Sequence, residues 1–216
     1  PVIKIQGLTK YYGKRLAVDN IDFEVAKGEI VGFLGPNGAG KTTTMRIITG
    51  FLMPSSGDVW IADHHMATHS LEGRRLIGYL PELTPLYTDM TTRAFLAYAA
   101  RLRGLDRKET KTSIDEVVEK CALNEYIDVL LAKLSKGFKQ RVGLAQAIIH
   151  NPEVLILDEP TNHLDLPSIE CLETALKNFE AALIIVSHDQ VFLDQSTDIT
   201  WSMIRKKKKV TIKVHI

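Results

Sequence analysis

The chain has 216 residues, with 27 Lys and Arg against 26 Asp and Glu and a net charge of +1, so no global field draws it to nucleic acid or to an anionic membrane, and DNA is not indicated as a partner. That length is enough for a sizeable core in one or two domains. No stretch approaches the ~20 apolar residues of a membrane span, the N-terminus lacks a basic segment followed by an apolar core, and Cys121 and Cys171 form no C-x-x-C pair; the expectation is a cytoplasmic chain under reducing conditions, with any membrane role exerted through a partner.

Strand character opens the chain at residues 2–8, returns at 21–25 with alternating apolar side chains, and comes again at 29–34. The last of these runs straight into Gly35, Pro36, Asn37, Gly38, Ala39, Gly40, Lys41 and Thr42, which match the pattern G-x-x-x-x-G-K-[ST] at every required position. Thr43, Thr44, Met45, Arg46, Ile47 and Ile48 then continue as a helix, so strand, loop and helix come in the order the pattern needs. Glycines there let successive backbone N–H groups turn inward on phosphates, Lys41 reaches the β and γ phosphates, and the Thr42 hydroxyl holds Mg²⁺. The positive end of the helix, from Thr43 onward, favours the same anion. A nucleoside triphosphate is the expected ligand.

Residues 54–57 read as a turn and 58–61 as a short strand. From 91 to 147 the pattern turns helical and charged, with apolar residues at helical spacing in Phe95, Leu96, Ala99 and Leu102, then Ile114, Val117, Val118 and Cys121. Uninterrupted apolar runs at 154–157 and 182–186 read as strands buried on both faces, and 166–179 as the helix that connects them in a parallel sheet. The first of these strands delivers Asp158-Glu159-Pro160. Adjacent acids at a strand end take different jobs because side chains alternate: Asp158 suits Mg²⁺, directly or through water, and Glu159 suits general-base activation of water against a γ-phosphate. The second delivers Ser187-His188-Asp189, which places His188 at the ligand-facing end of a parallel strand, within reach of a γ-phosphate oxygen or the attacking water.

Taken together, the phosphate loop, Leu134-Ser135-Lys136-Gly137-Phe138-Lys139-Gln140-Arg141, Leu157 to Thr161 and Ser187-His188 resemble the nucleotide-binding domain of the ATP-binding cassette (ABC) family, over residues 3–204. The resemblance implies ATP and Mg²⁺ as ligands and ATP hydrolysis as the activity. It implies that Tyr12 stacks on adenine, with Tyr11 the less suited neighbour. It also implies that Ser135 and Gly137 meet the γ-phosphate held by a second cassette, in a head-to-tail dimer enclosing two ATP molecules; Lys136 and Phe138 replace the commonest glycine and glutamine there. Glu82 stands where the family usually has a glutamine, and glutamate binds a cation but donates no amide hydrogen bond. It is read as metal-proximal and coupling, or else as a solvated loop acid. With residues 83–91, this loop resembles that of exporter ATPases, where it faces a membrane-spanning subunit.

From Thr161 the sequence changes character. Asn162-His163-Leu164-Asp165 and residues 186–194 resemble the ABC-F branch of soluble ribosome-acting ATPases, so the chain reads as a mosaic, exporter-like through about residue 152 and ABC-F-like from about 161. Natural recombination, engineered recombination and a divergent lineage each account for it. By the resemblance Asp165 is the acid of the loop that crosses to the partner's phosphate site, with Asn162 and His163 suited to contacts across the dimer; these residues also suit capping of the helix that begins near Leu166, Asp165 best of them, and the two roles are compatible. At the end, 199–204 and 210–216 read as two strands joined loosely by the basic run 205–209, either a lysine-protected edge hairpin or a patch for RNA or anionic lipid.

The expected fold is α/β: a P-loop NTPase core with a mostly parallel sheet, an N-terminal antiparallel β subdomain and an inserted helical subdomain. It forms one domain over 1–216, divided into a first core part (1–90), the helical insert (91–147) and a second core part with the C-terminal hairpin (148–216). The leading reading is the energy-coupling subunit of an ABC membrane exporter, held at the inner face of the membrane by its partner. The competing readings are a soluble ABC-F-like factor acting on the ribosome, and a module that traps ATP without useful turnover.

Overall fold

The computed structural model describes the chain except residues 163, 178, 180, 207, 208 and 216, and describes backbone alone at 177, 204–206 and 209–215. Among the described residues two sheets form. A four-stranded antiparallel sheet has the order β2-β1-β4-β5, from β1 (Ile3–Tyr12), β2 (Arg15–Val25), β4 (Ser56–Ile61) and β5 (His64–His65). Ile21, Phe23 and Val25 alternate buried with exposed neighbours, the period-two pattern of a strand with one wet face.

The second sheet has six strands in the order β10-β9-β3-β8-β7-β6, with β3 at Ile30–Leu34, β6 at Ile77–Leu80, β7 at Val154–Asp158, β8 at Ala182–Ser187, β9 at Ile199–Lys206 and β10 at Lys209–His215. Strand β3 runs parallel to both β8 and β9, and β7 runs parallel to β8. Every residue of β7 and β8 is buried, which is why both read as continuous apolar runs. Phe23 of the antiparallel sheet meets Phe33 and Trp201 of this one, with ring centres 5.7 and 4.7 Å away. Such tilted and edge-on pairs add roughly 0.5–1.5 kcal/mol each beyond the area they bury. Helix α1 (Lys41–Ile48) lies against β2, β4 and β7 through buried Met45, Ile47 and Ile48, and α7 (Gln190–Ser196) covers β3 and β8.

The tail differs from its expected loose hairpin. Lys206 stands opposite Lys209, so the strands run into the basic segment and only residues 207 and 208, which lie outside the described set, separate them. The ladder is made by main-chain groups and extends regardless of side-chain type. Three short elements carried no readable signal: β5, α2 (Ser70–Arg75) and α7.

By its contacts the chain divides into two compact units, Pro1–Tyr79 with Glu153–Glu159 and Glu180–Ile216, and Leu80–Pro152 with Pro160–Phe179. The second unit is helical. Thr91 caps α3 (Thr92–Leu102) by accepting from the Ala94 N–H, and Asp106 with Glu109 forms a capping box on α4 (Arg107–Lys120). Phe95, Leu96, Ala99 and Ala100 of α3 pack with Ile114, Val117 and Val118 of α4 and with α5 (Lys136–Ile148). Leu102, at the last position of α3, is 69% exposed instead of joining the apolar stripe. Helix α6 (Leu166–Lys177) packs on α5, and Cys171 Sγ lies 3.6 Å from the Cys121 carbonyl oxygen. Burial pushes the Cys121 thiol up to about 12, so that sulfur is a packing group.

Candidate functional site

The site is built where parallel strands end together. Leu34, the last residue of β3, stands opposite Ser187 of β8, and Asp158, the last of β7, stands opposite Val186. The loops leaving β3, β7 and β8 therefore emerge at one edge of the sheet, the usual ligand crevice of such sheets. Sequence spacing hides this, because residues 34, 158 and 187 become neighbours only through the strand order β3-β8-β7.

From β3, Pro36, Asn37 and Gly38 are exposed, whereas Ala39 is buried and anchors the loop. Gly40 holds φ +111°, and a side chain there would strike the Ala17 carbonyl oxygen at 2.6 Å. Gly40→Ala is expected to destabilise the chain by about 2–3 kcal/mol, from forbidden backbone geometry plus collision, and to weaken nucleotide binding. Thermal unfolding and nucleotide titration check this; a wild-type midpoint would remove the steric explanation. Thr42 is exposed and Thr43 half-buried in the first turn of α1.

Lys41 folds back onto its own loop, donating to the carbonyl oxygens of Gly35 at 2.5 Å and Pro36 at 3.4 Å. Its ammonium is also 3.9 Å from Glu159 Oε1, with side chains only 6% and 10% exposed. Glu159 has φ +50°, an unusual left-handed conformation for a residue that is not glycine, and its N–H donates to the Val186 carbonyl. The other carboxylate oxygen, Oε2, accepts from the His188 backbone N–H at 3.2 Å and lies 2.7 Å from His188 Nδ1. Lys41, Glu159 and His188 thus form one cluster, with the His188 ring 62% exposed.

Asp158 is 2% exposed, and the Tyr79 hydroxyl donates to its Oδ2 at 3.4 Å. Burial, with the Asp158 charge adding, pushes the Tyr79 phenol well above its ordinary value, so it stays a donor. Tyr79 lies in the apolar stretch that becomes β6, and nothing in its neighbours announces a site residue. Tyr12 ends β1 with its ring 46% exposed and the Lys10 ammonium 5.7 Å from the ring centre. Tyr11 is equally open, so both rings are accessible to a flat base. The hydroxyl of Thr42 and the carboxylate of Asp158 are hard oxygen donors, a set that fits Mg²⁺ completed by phosphate and water oxygens.

The remaining predicted residues belong to the helical unit. Ser135 caps α5, its Oγ accepting from the Phe138 N–H at 3.4 Å. Gly137 lies against Ser168 and Asp165, so its missing side chain makes room for α6 within the subunit as well as for any external approach. Asp165 accepts the Ser168 N–H at 3.2 Å at the start of α6, and hydrogen bonds from Ser168 hold its carboxyl below the ordinary range. Glu82 Oε1 accepts from Asn162 Nδ2 at 3.0 Å, a pairing that residues 80 apart in sequence do not reveal. His163 lies outside the described residues.

Comparison with known proteins agrees with this layout. The ABC transporter family model matches residues 18–162. The bacitracin transport ATP-binding protein BcrA of Bacillus licheniformis is 39% identical over 201 residues, 91% of this chain and 65% of that protein. Nod factor export ATP-binding protein I of Burkholderia thailandensis is 37% identical over 163 residues, 76% of this chain and 54% of that protein. The chain spans less than two thirds of the length of these two relatives. A solved ATP-binding subunit of an ABC transporter matches with a TM-score of 0.88 and 26% identity, over 99% of this chain and 90% of that one. The fold is accordingly the mixed α/β, P-loop type with one sheet whose central strands are parallel and one antiparallel sheet. A match of this extent, whose family model takes in β3, the phosphate loop and β7, means that the chain belongs to the ABC transporter family.

Proposed function

We propose that the chain binds MgATP and hydrolyses it to ADP and phosphate as the energy-coupling subunit of a membrane exporter, and that its site is completed by a second cassette. The observation that carries this reading is the cluster of Lys41, Glu159 and His188 at the ends of β3, β7 and β8. The relatives named for bacitracin transport and Nod factor export support the exporter role.

The chemistry follows from the residues. Phosphate oxygens entering the loop draw the Lys41 ammonium off the Gly35 and Pro36 carbonyls and away from Glu159. Oε1 of Glu159 is then free to take a proton from the attacking water, while His188 holds Oε2 and fixes the carboxylate's direction. Asp158 and Thr42 would hold Mg²⁺, which supplies charge neutralisation for the β and γ phosphates when bound. Tyr79 orients Asp158 by donating to the oxygen opposite. Tyr12 stacks on the base. Ser135 and Gly137 present the start of α5 to the partner's γ-phosphate, and Glu82, held by Asn162, lies at the metal-proximal coupling loop. The loop from Glu82 to Met90, which leads into the helical subdomain of residues 91–147, meets the membrane subunit, which keeps the chain at the inner face of the membrane.

The test is co-purification with a membrane-spanning exporter subunit, combined with Mg²⁺-dependent ATPase assays on the pair and on the chain alone. Stimulated turnover in the pair is the expected result. No such partner, together with ATP-dependent binding to ribosomes, overturns the exporter role and leaves the ATPase intact; background rates under all conditions overturn the ATPase.

A further inference from the structure

Away from the phosphate loop, helices α3 and α4 enclose an open groove of about 550 Å³, within the range of small-molecule sites. Its floor is Ala97 with buried Ile114, and its rim is cationic: Arg101 from α3, and Arg107, Lys108 and Lys111 from α4. Among the described residues none of these four is ion-paired. The acids nearby have other engagements. Asp128 binds Arg93 at 2.8 and 3.1 Å, and Asp106 and Glu109 are spent in the capping box. Among the described residues that line the groove, Asp115 is the one acid, and it lies near Arg93.

The placement of these cations runs against the helix they sit on. Arg107 and Lys108 are the first two residues of α4, and Lys111 comes one turn later, where the positive end of the helix dipole disfavours cations. Helix stability by itself selects acids there. Asp106 and Glu109 of the capping box already meet the dipole at this helix end, and an anion in the groove offsets the mutual repulsion of the four cationic side chains. A phosphate group answers this arrangement better than a carboxylate, because it carries up to two charges on three oxygens and takes the Arg fork and Lys ammonium at once.

We propose that the α3–α4 groove binds a multiply charged, phosphate-bearing ligand at Arg101, Arg107, Lys108 and Lys111, separately from the nucleotide site. The chemistry is shared by soluble polyphosphates and by anionic lipid headgroups, and the test separates them. In a Lys41→Ala background, which weakens the phosphate loop's own contribution, one arm titrates inorganic tripolyphosphate and the other uses vesicles with and without phosphatidylglycerol, both at about 0.15 M salt. Arg101→Gln with Lys111→Gln is expected to weaken binding at least ~10-fold in the arm that binds, whereas Lys120→Gln, on α4 but outside the groove, leaves it unchanged. Lys108→Glu is expected to raise the thermal midpoint and still lower binding, so loss of binding is not loss of fold. Tripolyphosphate binding assigns a soluble source, and vesicle binding alone assigns a lipid headgroup. Failure of both arms, or equal binding in the groove variants and the Lys41→Ala parent, overturns the proposal and leaves the ATPase reading untouched.

Discussion

Glu159→Gln is expected to slow ATP hydrolysis by about 10²–10⁴-fold while leaving ATP binding intact. Glutamine keeps the size of the side chain and can still face Lys41 and His188, but it cannot accept a proton from water. The neighbouring contacts make the substitution a clean one: Glu159 sits at φ +50° with its N–H bound to Val186, so the backbone is held by the sheet edge and not by the carboxylate. The variant removes a buried charge from an ion pair whose members are 6% and 10% exposed. It should therefore retain the MgATP complex, and sizing with and without MgATP should report a nucleotide-dependent dimer. Turnover within a few-fold of wild type would rule out Glu159 as the base, and the absence of any dimer would count against the two-cassette site.

Lys41→Ala is expected to lower both ATP affinity and turnover, the latter by about 10²–10³-fold, as loss of one preorganised cation at a developing charge does. A second effect is less obvious. In this structure Lys41 closes its own loop onto the Gly35 and Pro36 carbonyls and faces Glu159, so its removal leaves a buried carboxylate whose remaining partner among the described residues is His188. The nucleotide-free variant should be less stable by about 1–3 kcal/mol, with the cost reduced in Lys41→Ala/Glu159→Gln because the orphaned charge is gone. Denaturant midpoints of the two single variants and the double variant measure this. Strict additivity would mean that Lys41 and Glu159 do not interact in the folded chain.

The motif residues were legible because their chemistry is local. Residues 35–42 carry their pattern in eight consecutive positions, and Asp158-Glu159 follows a strand whose apolar run leaves no alternative face. Long helices and fully buried strands were legible for the same reason, since periodicity accumulates over their length. The two-residue β5 and the short helices α2 and α7 offer too few positions for a period to emerge. Leu102 fitted the helical stripe yet lies 69% exposed at the last position of α3, although Ala99 and Ala100 of the same turn are buried, so helical spacing alone did not fix which side chains are covered. Gly137 illustrates a role that spacing cannot separate, for the same missing side chain serves packing against Ser168 and any approach from outside.

By itself the sequence determined that a loop of the phosphate-binding pattern, an acidic strand end and a histidine strand end exist, and that they sit on an α/β chain resembling the ABC family. Only the tertiary structure decided that β8 lies between β3 and β7, bringing Lys41, Glu159 and His188 into one hydrogen-bonded and ionic cluster. It likewise decided that Tyr79 donates to Asp158, that Asn162 supplies the amide facing Glu82, and that four cations with no ion-pair partner among the described residues share one groove. The physical reason is the same in each case: strand order and helix packing are chosen by burial of apolar faces across the whole chain, and the polar pairings follow from that choice without leaving a local mark in the residues that make them.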